Sequence, residues 1–123
     1  MKTQRYGMVI GLKEDRFEEY RALHADDHPG VRDLLASANM HNFSIFLSRL
    51  PDGKLYLFGY YEYTGNDYAA DMAKLDKEPR NKEWLAMTDP MQIPLPGETS
   101  WKLMDQVYYN PYSLRIATTP SMP

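Results

Sequence analysis

The sequence predicts a single α+β domain, and three observations carry that prediction. Residues 40–50 alternate as a half-buried strand does, residues 55–63 are an aromatic-rich strand-like run, and Pro51-Asp52-Gly53-Lys54 between them is a turn sequence, so the two runs form a hairpin. On each side of the hairpin lies a stretch with helical spacing of apolar residues, interrupted once by a proline: Pro29 in the first, Pro79 in the second. A further strand-like run stands at each end, residues 5–12 and 101–109. Strand, split helix, hairpin, split helix and strand give the order βαββαβ, a ferredoxin-like antiparallel sheet with its helices on one face.

Each element has a local reason. Residues 5–12 end in an apolar run that stops at Lys13-Glu14-Asp15. Glu14 or Asp15 can start a helix over 16–24, whose acidic N-terminal residues suit the helix dipole. Within it Phe17, Tyr20 and His24 are spaced i, i+3, i+7 and share one stripe. Asp26-Asp27-His28-Pro29-Gly30 then breaks the helix, because proline disfavours helical geometry at the residue before it, and a second piece follows over 31–38. In the first hairpin strand Phe43, Ile45 and Leu47 oppose Asn42, Ser44, Phe46 and Ser48. The returning strand has aromatic residues on both faces, Tyr56, Phe58, Tyr60, Tyr61 and Tyr63, so neither face is expected to be bare to water. One face of the sheet lacks helices, and its cover is expected from sheet-to-sheet dimerisation or a ligand pocket.

Asn66 or Asp67 caps a helix over 68–77, Pro79 ends it, and a second piece over 81–87 carries Trp84 and Leu85. Residues 92–100, with two prolines and a glycine, read as an extended loop before the last strand. The domain is expected to span 1–110. Residues 111–123 form a polar tail, loosely ordered or reaching over a partner subunit.

Composition narrows the function. A chain of 123 residues makes one domain, and no stretch approaches the roughly 18 apolar residues of a membrane span. The basic start is followed by no signal-type cleavage pattern, and the expected location is the cytoplasm. Without cysteine there is no disulfide, thiolate nucleophile or cysteine-held metal. A net charge of -3 with interspersed signs does not suit a nucleic-acid backbone. Nucleophile-elbow, phosphate-loop and dinucleotide-binding motifs are absent from the sequence.

Proton transfer at neutral pH then falls to three histidines, His24, His28 and His41. His24 leads, with Tyr20 one helical turn before it, against the simpler reading of a solvent-facing helix end. His24 and His28 have the spacing of a helical metal pair, but His28 precedes proline and the glutamate of H-E-x-x-H is missing. His41 and Asn42 are adjacent on a strand, so at most one enters a given pocket. Trp84 and Asp89 are expected on the far wall. Tryptophan offers a flat face to the C–H side of a sugar, although such a tryptophan is more often core.

The ordered set Tyr20-x-x-x-His24, His41-Asn42-Phe43-Ser44-Ile45-Phe46-Leu47, Leu57-Phe58-x-Tyr60-x-Glu62-Tyr63, Trp84 with Thr88-Asp89-Pro90, and Met104-Asp105-Gln106-Val107-Tyr108 resembles the L-rhamnose mutarotase family over residues 5–110. The resemblance implies a homodimer of the dimeric α+β barrel type, without metal or cofactor, that interconverts the α and β anomers of a 6-deoxy-hexose such as L-rhamnose. It implies His24 as acid-base group, Tyr20 beside it and a tryptophan, Trp84, in the pocket; the reading of the residues adds His41 and Asp89 as pocket-shaping groups and His28 as a further polar contact to the sugar. The chain departs from the family pattern at His28, where many members have tryptophan, and at Leu85, where they have the second of a tryptophan pair. Two other readings stand beside it: a cofactor-independent monooxygenase on the same architecture, and a sugar- or metabolite-binding module without turnover.

Overall fold

The computed structural model describes residues 3–112. Its elements run β1 (Gln4–Leu12), α1 (Phe17–Leu23), α2 (Arg32–Ser37), β2 (Met40–Arg49), β3 (Leu55–Tyr63), α3 (Tyr68–Lys77), α4 (Pro79–Thr88), β4 (Gln92–Ile93) and β5 (Lys102–Met104). The strands form one sheet in the order β2-β3-β1-β4, with β5 also paired to β1 and every pairing antiparallel. The ferredoxin-like α+β expectation therefore holds, with both helical stretches split where proline was expected to split them.

All the helices pack on one sheet face, because the strands alternate. Ile10 and Leu12 of β1 and Leu55 and Leu57 of β3 are buried against Tyr20 of α1 and Met91, while Met8, Met40 and Tyr61 pack with Ala38 and Leu75. Ile10 and Leu57 are almost wholly enclosed, and burying such a side chain is worth roughly 1.5–3 kcal/mol relative to leaving it in water. The opposite face carries Val9, Phe46 and Phe58 in register across three strands, with Phe46 67% exposed.

The C-terminal strands differ from expectation. Residues 92–100 are not all loop, since Gln92 and Ile93 pair with Leu12 and Gly11. Gly11 is needed there, because a Cβ would come within 2.8 Å of the Ile93 carbonyl oxygen. The last strand is only three residues long: Lys102, Leu103 and Met104 pair with Val9, Met8 and Gly7. β4 and β5 thus share one edge of β1, with the proline-bearing loop between them. Past Met104 the chain leaves the ladder, and Val107 and Tyr108 are 94% and 78% exposed. Residues 113–123 of the expected tail lie outside the described residues.

Candidate active site

His24 is placed by the end of α1. The helix stops at Leu23, and His24 is its C-cap residue. Its Nδ1 lies 2.7 Å from the Tyr20 carbonyl oxygen. A carbonyl can only accept, so Nδ1 carries the proton and Nε2 keeps its lone pair. The imidazole stacks on the Tyr20 ring at 4.3 Å and meets the edge of Trp84 at 5.1 Å. His28 lies 6.0 Å from the same indole, so both histidines are neighbours of Trp84.

Trp84 owes its position to the join between α3 and α4. Pro79 opens α4, where its missing N–H costs nothing, and the buried Asn81 amide donates to the Leu75 carbonyl at the end of α3. Arg80 pairs with Asp33 and ties α4 to α2. The indole then lies against Gly30, whose φ is +58° and at which a Cβ would come within 3.2 Å of the ring. Only glycine meets both conditions without strain.

The turn that carries the histidines is held by Arg32. Its guanidinium donates to the carbonyls of His24 at 3.1 Å, Ala25 at 3.2 Å and His28 at 3.2 Å. These carbonyls lie in the turn beyond α1, where Ala25 also accepts from the His28 backbone N–H, and the forked guanidinium reaches several at once.

These groups line a half-open cavity of about 1030 Å³ on the helix side of the sheet, with Phe43, Ile45 and Trp101 in its wall. Burial pushes the His24 pKa down, outweighing the carbonyl hydrogen bond, and the nearby Arg32 and His28 push it the same way. Near neutral pH the ring is therefore a neutral base. Burial also raises the Tyr20 phenol, which stays protonated, and raises the Asp89 carboxyl at the cavity. Gln92, missed by the sequence reading because it sits in a proline-bearing run, donates from Nε2 to the Tyr20 hydroxyl at 3.1 Å. Among the described residues, no group of three or more His, Cys, Asp or Glu is arranged to hold a metal ion.

Of the six expected site residues, Tyr20, His24, His28, Trp84 and Asp89 line this cavity together. His41 does not, and that expectation is corrected. Unbroken alternation would put His41 on the same face as Phe43, but Asn42 adopts a left-handed φ of 54° and the register slips between His41 and Ser44. One extra residue reverses the parity. Met40 and Phe43 face the helices, and His41 pairs with Glu62 on the far side.

The family profile described as L-rhamnose mutarotase matches residues 5–110. The chain is 28% identical over 100 residues to the L-rhamnose mutarotase of Ligilactobacillus salivarius, covering 79% of this chain and 87% of that one. It is 30% identical over 105 residues to that of Mannheimia succiniciproducens, covering 85% and 96%. Among solved structures, an L-rhamnose mutarotase from Formosa agariphila superposes with a TM-score of 0.64 at 18% identity, covering 87% of this chain and 98% of that one. A putative antibiotic biosynthesis monooxygenase from Nitrosomonas europaea gives 0.53 at 14% identity, covering 88% and 95%. At those identities the two structures bear on the fold alone.

Proposed function

The chain belongs to the L-rhamnose mutarotase family, and from that premise we propose that it is an isomerase interconverting the α and β anomers of a 6-deoxy-hexose, L-rhamnose first, with His24 as the acid-base group. The observation that carries this reading is the 2.7 Å contact between His24 Nδ1 and the Tyr20 carbonyl, which leaves Nε2 of this cavity-lining residue with its lone pair as a base.

Ring opening needs the proton of the anomeric hydroxyl removed and a proton delivered to the ring oxygen. Both oxygens are bonded to C1, so one imidazole can serve them in turn. Nε2 takes the O1 proton as the C1–O5 bond breaks and returns it to O5, which becomes a hydroxyl. The aldehyde turns about the C1–C2 bond, and closure reverses the two transfers on the other face of the carbonyl. The protonated Tyr20 phenol donates a hydrogen bond to the sugar oxygen that carries charge during opening. Trp84 covers the apolar C–H side of the ring, and His28 and Asp89 meet hydroxyls at its edge. We assign His41 no part in binding.

The reading includes a cytoplasmic homodimer joined through the helix-free sheet face, supported by the row Val9, Phe58 and Phe46. Among the described residues no helix is long and apolar enough to cross a membrane.

The test is anomer exchange by NMR saturation transfer at neutral pH, on L-rhamnose, L-fucose and common hexoses, with and without protein. Acceleration with L-rhamnose is expected, and its loss in His24→Ala that keeps the parent's circular dichroism. Exchange undiminished in that variant would overturn the assignment of His24. Acceleration with none of the sugars would overturn the reaction in favour of a binding module.

A further inference from the structure

Gln92 is one of three buried polar residues among those described, and it is 9% exposed. Its backbone is paired to Leu12 in the sheet, so its side chain is held at a fixed point beside β1. From there Nε2 donates to the Tyr20 hydroxyl across 72 positions of sequence. Tyr20 itself is 5% exposed, and both residues line the cavity together with Asp89.

A phenol oxygen that accepts from an amide has its own hydrogen left to place. Among the described residues the bond from Gln92 is the only hydrogen bond of the Tyr20 hydroxyl. A buried phenol gains little by leaving that hydrogen unused. The direction left to it is the cavity, where a sugar oxygen can accept. Without Gln92 the hydroxyl could accept a hydrogen bond from a sugar hydroxyl equally well, and its polarity would be undefined.

We infer that Gln92 is a positioning residue which fixes the Tyr20 phenol as a hydrogen-bond donor to the bound sugar. The inference rests on the mutarotase reading and adds to it the polarity of one contact. The effect assigned to Gln92 passes through Tyr20.

The experiment is a double-mutant cycle on the full chain, with exchange rates measured on the most responsive sugar. Gln92→Met, of similar volume, is expected to lower kcat about tenfold with a smaller change in KM, since the bond matters most as charge develops. Gln92→Glu presents an acceptor that captures the phenolic hydrogen, and a loss of about a hundredfold is expected, close to that of Tyr20→Phe. With phenylalanine at position 20, Gln92→Met should cost nothing further. A purely structural glutamine would instead lower the rate by the same factor in both backgrounds. That additivity, or a parent-like rate in Gln92→Met, overturns the inference. If Gln92→Met does not fold, Gln92→Glu decides alone: a parent-like rate overturns the inference and a loss matching Tyr20→Phe supports it. A parent inactive on every sugar overturns the mutarotase reading and this inference with it, whereas an active parent with unaffected Gln92 variants overturns this inference only.

Discussion

His24 gives up basicity in order to be buried, and the sign of that shift makes two predictions. Its pKa in the folded chain lies below the ordinary imidazole value of about 6.5, with burial the largest cause. The stability this group contributes is fully present above pH 6.5, where the ring is neutral in both states. Below that value the unfolded chain takes up a proton that the folded one refuses, so stability falls until the folded pKa is reached. Thermal unfolding of the parent and of His24→Gln across pH 5–8 should show the parent losing more stability on the acid side. Exchange should follow the same sign, with the rate held as pH drops past about 6.5 and lost only further into acid. An acid limb centred at or above 6.5 would mean that the ring is not desolvated as the fold implies. At this scale the sequence revealed Tyr20 and His24 through helical spacing, but it could not reveal Gln92, whose role depends on a two-residue strand pairing distant in the chain. It misled at His41 because Asn42 turns left-handed and shifts every earlier residue of β2 to the other face.

Between α1 and α2, the eight residues 24–31 would be free to drift if Arg32 did not gather their carbonyls. Because the guanidinium is about half exposed, its loss should cost only about 1 kcal/mol of stability. The larger effect belongs to the site. Arg32→Met removes the fork that holds the turn and also a positive charge that lowers the His24 pKa. The expected result is a several-fold slower exchange with its acid limb moved up toward the ordinary imidazole range. Arg32→Lys keeps the charge but not the fork, and it should slow exchange while leaving the limb in place. Equal limbs in all three proteins would sink the electrostatic part of this argument. Element by element, the hairpin and both split helices were legible because their signals are local: alternation, Asp67 capping Ala70, and prolines at the breaks. The last strand was overread, since residues 105–109 have strand composition but leave the β1 edge after Met104. Strand composition does not supply a partner.

The two faces of the sheet have separate tasks. The helix side is spent on the core and the cavity, while the other side leaves Phe46 and Met104 67% and 41% exposed beside Val9 and Phe58. An apolar sheet face of this kind is stable in water when a second copy covers it, and about 800 Å² per partner makes a standard interface. Light scattering coupled to size exclusion at micromolar concentration should return twice the chain mass of 14.3 kDa. Phe58→Glu places a carboxylate in the centre of the row, where it would be buried without a counter-charge, and should return a single chain. Phe58 projects to the face opposite His24, so exchange per chain should stay within a few-fold of the parent. Retained exchange in a monomer would mean that each chain carries a complete site. A monomer that folds but no longer exchanges sugar would instead mean that the partner supplies part of the cavity wall, and a parent that is already monomeric would remove the dimer from the reading while leaving the chemistry at His24 untouched.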